Sequence, residues 1–147
     1  MKKSLTVLSV GALVIVAASS VLQAQKASTS SKKVVYVAAG SAAFKQTPMK
    51  GVSMEVLWGD PDKRAHGTFT KFEPGYDAGV HTHTNDVRLV VIKGAYLYKD
   101  DAGEKRVGPG DFISIPGGHK HWSGGDKSEG ALFYQEGSAK FDLVPAK

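Results

Sequence analysis

The chain has no cysteine among its 147 residues. Disulfide bonds, thiolate metal ligands and a cysteine nucleophile are therefore excluded, and so is an N-terminal lipid attached through cysteine. Any bound metal must be held by nitrogen or oxygen atoms. The folded part of the chain must be stabilised by its own hydrophobic core rather than by covalent cross-links.

Helical patterns are also scarce. Beyond the N-terminal segment, no stretch repeats apolar residues at helical spacing, whereas glycine is abundant, with 17 residues. Basic residues are not interleaved with aromatic residues in any patch, although the formal net charge is +5. The sequence therefore argues against a helical protein, and no nucleic-acid partner is expected.

Residues 1–24 have the features of a secretory signal peptide. Lys2 and Lys3 precede an apolar run over residues 5–18, which is too short for a comfortable transmembrane span. The alternative is a retained N-terminal membrane anchor, because Leu22 at the −3 position is an imperfect match to the small residues that signal peptidase prefers. Export to the periplasm or secretion is the simpler interpretation.

Two segments follow the predicted signal. Residues 25–33 are rich in serine, threonine and lysine, which is typical of a flexible linker. Residues 34–147 are long enough for one hydrophobic core and are interpreted as a single domain. After removal of the signal, no membrane attachment is expected.

The domain consists of short β-branched or aromatic runs separated by turn residues every eight to twelve positions, which predicts an all-β barrel of two sheets. The run 87–92 is apolar on both faces, so we expect a central strand that is covered on both sides. The predicted strands are 34–39, 52–58, 68–72, 87–92, 95–98, 112–115, 131–136 and 141–144.

Four of the five histidines form two pairs with i, i+2 spacing: His81 with His83, and His119 with His121. Residues two apart in a strand share a face, so one pair can supply two imidazoles and a facing segment a third. Three neutral imidazoles suit a divalent first-row metal and leave positions open for water or substrate. The alternative is that these histidines are ordinary surface residues of loops.

Two spaced motifs carry a family resemblance. The first runs Gly75, five residues, His81-Thr-His83, three residues, Val87, six residues, Gly94. It resembles the first motif of the cupins, G-x5-H-x-H-x3–4-E-x6-G. The glutamate position of that motif is occupied by Val87.

The second motif runs Gly110, five residues, Pro116-Gly-Gly118, two residues, His121, three residues, Gly125. It resembles the second cupin motif, G-x5-P-x-G-x2-H-x3-N, with Gly125 at the asparagine position. The resemblance implies a double-stranded β-helix, the jelly-roll barrel of the cupins. More narrowly, the chain is similar to exported single-domain bacterial cupins and to the cupin domain of ChrR-type anti-sigma factors.

The resemblance also implies a metal site. Carried over residue by residue, the ligands are His81, His83 and His121, holding iron, manganese, nickel or zinc as a divalent ion. Asp86 or Arg88 could occupy the glutamate position if the register were shifted. His119 is a candidate catalytic acid or base, or an extra ligand; the alternative is a solvent-facing loop residue.

Three functional hypotheses follow. The first is a metal-dependent dioxygenase or isomerase acting on a small anionic substrate, with Trp122 packing on the ligand. The second is a non-catalytic periplasmic module that binds or senses a small molecule or a metal, which the absence of the Val87 carboxylate favours. The third is a barrel without metal that acts as a structural domain. A homodimer is expected in each case, because cupins commonly pair through edge strands.

Overall fold

The computed structural model describes residues 33–147. The predicted signal peptide and, apart from Lys33, the predicted linker lie outside the described residues. Within the described part, no helix is long and apolar enough to cross a bilayer. A short 3-10 helix at Ala39–Ser41 precedes eleven strands. The strands are β1 (Lys45–Gln46), β2 (Val52–Gly59), β3 (His66–Phe72), β4 (Asp77–Thr82), β5 (Val87–Gly94), β6 (Tyr96–Asp100), β7 (Gly103–Val107), β8 (Phe112–Ile115), β9 (His121–Gly125), β10 (Ala131–Gly137) and β11 (Val144–Pro145).

The strands form two antiparallel sheets. The six-stranded sheet has the order β1-β2-β3-β10-β5-β8, and the five-stranded sheet has the order β11-β4-β9-β6-β7. Strands that are distant in sequence are neighbours, since β10 lies between β3 and β5, and β9 lies between β4 and β6. This is the double-sheet jelly roll of the cupins, and the predicted fold class is confirmed.

The interior is filled by alternate residues of the strands. In β10, every second residue from Ala131 to Gly137 is buried, as expected for a strand with one inward face. The apolar core centres on Phe133, which contacts Phe72 edge-on with ring centroids 5.0 Å apart. Burial of such aromatic and aliphatic side chains is the main source of stability in a domain without cross-links.

Gly94 joins the two sheets. It ends β5 in the six-stranded sheet, and β6 begins two residues later in the five-stranded sheet. Its φ is +71°, and a Cβ there would collide with the carbonyl oxygen of Gly130. Only glycine therefore fits this connection between the sheets without strain.

Two of the predicted strands are wrong. Residues 34–39 have no strand structure, and the side chains of Val34, Val35 and Tyr36 are exposed, because no neighbouring strand pairs with them. Residues 141–143 are also irregular, and only the last residue of the predicted strand 141–144 lies in β11. β-branched residues favour strands only where a sheet edge is available to receive them.

The predicted double coverage of the 87–92 run is also wrong. Val87, Leu89 and Val91 are buried, but Val90 is 36% exposed and Ile92 is 38% exposed on the outer face of the six-stranded sheet. The predicted strand 112–115 is present as β8, at the edge of this sheet. An apolar outer face and a covered face have the same sequence pattern, so periodicity cannot distinguish them.

Candidate metal centre

The two histidine motifs meet in the five-stranded sheet. Strands β4 and β9 are antiparallel neighbours, and His81 is paired directly with His121. His83 follows β4 by one residue and lies on the same side as His81. The ring centroids are 4.9 Å apart for His81 and His83, 4.3 Å for His81 and His121, and 5.3 Å for His83 and His121. All three side chains are buried, so these are not surface loop residues.

One nitrogen from each ring lies within 4.8 Å of those of the other two. Nitrogens bound to a common ion at 2.0–2.1 Å would be closer, and an inward shift of less than about 1 Å per ring brings them to that distance. We call this group, His81, His83 and His121, the histidine cluster. It could hold a metal ion.

The other nitrogen of each ring is fixed by the backbone. The Nδ1 atom of His81 bonds to the carbonyl of Gly79 at 2.9 Å, and that of His121 bonds to the carbonyl of His119 at 3.0 Å. The Nδ1 atom of His83 bonds to the carbonyl of Asp142 at 2.6 Å. Because a carbonyl only accepts, each Nδ1 carries the proton and each Nε2 has a free lone pair.

Burial also favours the neutral, metal-binding form of the rings. It is the largest cause that lowers the pKa of all three imidazoles, outweighing their bonds to backbone carbonyls, and neighbouring imidazoles lower the pKa values further. The Nε2 atom of His121 is buried and has no hydrogen-bond partner among the described residues. Buried polar atoms without a partner are rare, so this nitrogen is available to a ligand.

The C-terminal segment holds His83 in place. The carbonyl of Asp142 accepts the His83 Nδ1 proton, and the ring of Phe141 lies 5.1 Å from the imidazole. The Asp142 carboxylate accepts bonds from the backbone N–H and the hydroxyl of Thr84, at 2.8 and 2.6 Å, and these bonds lower its pKa. Sequence reasoning missed this support, because the residues are almost sixty positions apart.

Val87 occupies the place where the cupin motif has a carboxylate. It is buried and lines the same cavity as His81 and His83. Neither neighbour substitutes for it, because Asp86 forms an exposed ion pair with Arg88 at 3.2 Å and accepts the backbone N–H of Gly117. The cluster is therefore limited to three histidines among the described residues.

The cavity beside the cluster is small, with a volume of about 30 Å³. That is room for about one or two water molecules. Its wall carries no Asp, Glu, Lys or Arg side chain, and it includes buried polar residues in addition to the histidines. The lining residues are Met49, Val52, Met54, Thr70, Phe72, Tyr76, Ala78, His81, His83, Val87, Tyr96, Ser123, Gln135, Phe141 and Leu143.

His119 lies outside the cluster. Its side chain is half-exposed, and its Nε2 atom is 3.0 Å from Asp100 Oδ2, which also accepts the Tyr98 hydroxyl at 2.7 Å. These two bonds lower the pKa of Asp100 to about 2. The ring of Tyr98 stacks on His121 at 5.4 Å. The backbone carbonyl of His119 bonds to His121, and the two rings lie 6.4 Å apart, but the His119 side chain is not part of the cluster. Its acid or base role stays a prediction.

The position of Trp122 differs from our expectation. Its indole N–H donates to Asp77 at 2.7 Å, and its side chain lines an open groove with Lys99 and Glu104 rather than the cavity. Neighbouring residues in a strand point to opposite faces, so the inward direction of His121 turns Trp122 outward. It does not pack on a ligand in the cavity.

Two buried polar residues were missed from the sequence. His66 is completely buried at the start of β3, and its Nε2 atom has no partner among the described residues. Gln135 is 8% exposed and lines the cavity. The sequence places polar residues at three successive inward positions of β3, His66, Thr68 and Thr70, but this pattern does not show which of them lacks a partner.

Residues 50–147 match a family model described as "Domain of unknown function (DUF4437)". The chain belongs to this family. Comparison with curated proteins finds no match.

Solved structures show the same fold. The chain resembles the polyketide cyclase RemF from Streptomyces resistomycificus at 18% identity and a TM-score of 0.65, over 78% of this chain and 87% of that one. It also resembles an RmlC-like cupin from Shewanella frigidimarina at 17% identity and a TM-score of 0.56, over 73% of this chain and 93% of that one. The third similar structure is the anti-sigma factor ChrR in complex with SigE from Rhodobacter sphaeroides. The identity is 18% and the TM-score 0.52, over 67% of this chain and 49% of that one. The predicted cupin resemblance is confirmed.

Proposed function

We propose that this cupin domain binds one divalent metal ion through His81, His83 and His121 and accepts a small anionic ligand beside it. The observation that carries the proposal is the state of the three rings. Each ring is buried, and each Nδ1–H donates a hydrogen bond to a backbone carbonyl. The lone pair on each Nε2 atom is therefore free to bind a metal ion. A backbone carbonyl in this role is the usual partner that fixes a metal-binding imidazole.

The charge balance supports an anionic ligand. Neutral imidazoles leave the full 2+ charge on an ion, and no acidic side chain lines the cavity to compensate it. A buried charge is unfavourable unless it is paired, so an anion in the cavity would stabilise the loaded site. Because Val87 replaces the carboxylate of the cupin motif, the bound anion has to neutralise the charge of the ion.

The first candidate activity is metal-dependent catalysis of the dioxygenase or isomerase type. A bound ion would supply either Lewis acidity or redox chemistry. The chain itself supplies hydrogen-bond donors, since burial raises the pKa of Tyr96 to about 12 and also raises that of Tyr76, so both hydroxyls keep their protons. Similar structures include a polyketide cyclase and a sugar phosphate isomerase from the cupin superfamily.

The second candidate is a binding or sensing module without catalysis. The small cavity and the absence of charged side chains in its wall favour it, because the wall provides no carboxylate or amine as a general acid or base. The likeness to the ChrR chain is consistent with this alternative.

Location and assembly are part of the proposal. The predicted signal peptide supports a periplasmic or secreted protein. The exposed side chains of Val90, Ile92 and Phe112, on β5 and the edge strand β8, support a homodimer through this part of the six-stranded sheet. Sedimentation of the domain and of a Phe112→Lys variant tests the dimer, and a monomeric wild-type protein would contradict it.

The test of the site begins with the metal. The domain, prepared without a histidine tag, is analysed by elemental mass spectrometry beside a His81→Ala/His83→Ala variant. One equivalent of metal in the first and none in the second is expected. Oxygen consumption with small keto and hydroxy acids then separates a dioxygenase from a binding module. Equal, sub-stoichiometric metal in both proteins would contradict the proposal.

A further inference from the structure

Gln135 lies deep in the interior beside the histidine cluster. It is in the middle of β10, between Leu89 of β5 and Thr68 of β3. Its side chain is 8% exposed and lines the cavity together with His81 and His83. A glutamine is seldom buried to this extent without a partner for its amide.

In the part of the chain that the structure describes, the Gln135 side chain has no hydrogen bond to another residue. Its amide atoms are nevertheless not among the fully buried atoms without a partner, which are the Nε2 atoms of His66 and His121. The nearest polar residues on the neighbouring strand are bonded to each other, with the hydroxyls of Thr68 and Thr70 2.9 Å apart. On the other side Leu89 is apolar. An amide beside a cavity without a protein partner is free to bond to a molecule there, whereas a leucine of similar size would suit a purely structural position better.

We propose that Gln135 positions the ligand of the metal site, its amide N–H donating a hydrogen bond to an oxygen of a small carboxylate bound there. The inference rests on the proposed metal site and adds the chemical class of its ligand. The ion attracts the negative charge, while the amide recognises the oxygen atoms. Because the cavity has room for about one or two water molecules, it accepts little more than the carboxylate group itself, and the ligand must be compact.

The test measures two affinities separately. The domain is loaded with Co²⁺, whose visible absorption changes when an anion joins the metal, and is then titrated with acetate. Wild type is compared with Gln135→Leu, which keeps the side-chain volume but removes the amide. A matched control is Tyr134→Phe, which removes a polar group from the outer face of the same strand.

We expect Gln135→Leu to bind Co²⁺ as wild type does and acetate about 10-fold or more weakly, since hydrogen bonds to charged groups contribute at least that much. Its thermal stability without metal should be equal to that of wild type or higher. A glutamine with a merely structural role would instead lower stability and leave the acetate affinity unchanged.

The outcomes separate the two proposals. If wild type binds no Co²⁺, both the metal site and the role of Gln135 are overturned. If Co²⁺ binds but Gln135→Leu and Tyr134→Phe bind acetate as tightly as wild type, only the role of Gln135 fails. A Gln135→Glu variant gives a second check, because its negative charge should weaken acetate binding further while Co²⁺ is retained.

Discussion

His66 and His121 are buried in almost the same way but belong to different regions of the molecule. Each is 1% exposed or less, and each has Nδ1 bonded at 3.0 Å to the carbonyl of the residue two positions earlier. Each also has an Nε2 atom without a partner among the described residues. By burial and hydrogen bonding alone, the two residues cannot be told apart.

Their neighbours differ. His121 faces His81 and His83, so its free nitrogen has two companions. His66 lies over Gly137, where a Cβ would collide with the imidazole ring, and meets Phe141 edge-on at 6.3 Å. One ring is part of a convergent donor set, and the other fills space in the core. A buried histidine is therefore evidence for a metal site only where other donors converge with it.

The largest expected effect separates the two histidines by metal affinity. His121→Leu should lower the affinity for Zn²⁺ or Co²⁺ by more than about 100-fold, because removal of a ligand costs more than removal of the partners that orient ligands. His66→Leu should leave the affinity unchanged. Isothermal titration of both variants measures the difference. Equal losses in the two variants would remove the distinction between them.

The second largest effect is expected on stability, because His66 fills space against Gly137. Gly137→Ala should destabilise the domain by about 1–3 kcal/mol through overpacking against the imidazole ring, without changing metal affinity. Denaturant unfolding of the metal-free domain measures the change. Gly40→Ala is the matched control, since nothing lies within 4 Å of a Cβ there. Unchanged stability in Gly137→Ala would show that the ring does not pack as described.

A carboxylate introduced at position 87 should raise the metal affinity of the histidine cluster, whereas a carboxylate elsewhere in the core should not. We expect Val87→Glu to raise metal affinity by about 10-fold or more, because a fourth, anionic ligand meets an uncompensated 2+ charge. The metal-free variant should be less stable than wild type, since it buries a carboxylate. Val91→Glu, also in a buried position of β5, should lose stability and gain no affinity. A similar gain in both would mean that position 87 is not directed at the metal.

The smallest effect is expected at His119. The backbone carbonyl of His119, which alanine keeps, bonds to His121, whereas the His119 side chain bonds to Asp100. His119→Ala should therefore change metal affinity by less than about 3-fold, below the range usual for the loss of a partner that bonds directly to a ligand. The same titration checks this. A loss as large as that of His121→Leu would restore His119 as a ligand.

The histidine cluster could be predicted from the sequence because the pattern that marks it is local and occurs twice. The i, i+2 pairs and the glycine and proline spacing locate His81, His83 and His121 without knowledge of the tertiary contacts. Strand alternation likewise predicted the all-β fold. It failed at β5, since the exposed Val90 and Ile92 have the same pattern as a strand covered on both faces.

His66 and Gln135 could not be identified in this way. Their importance depends on β10 lying between β3 and β5, a pairing between strands far apart in sequence. The support of His83 by Asp142 has the same long-range origin. No local pattern records which distant side chain will lack a partner once the sheets have closed.

The most direct test of the central claim is X-ray absorption spectroscopy of the Zn²⁺-loaded domain. The account predicts three imidazole nitrogens at about 2.0–2.1 Å, completed by oxygen from water or a carboxylate. Loading of His121→Leu should fail or show one imidazole fewer, while His66→Leu should match wild type. A shell of oxygen atoms alone, or identical spectra for wild type and His121→Leu, would contradict the assignment of the histidine cluster as a metal site.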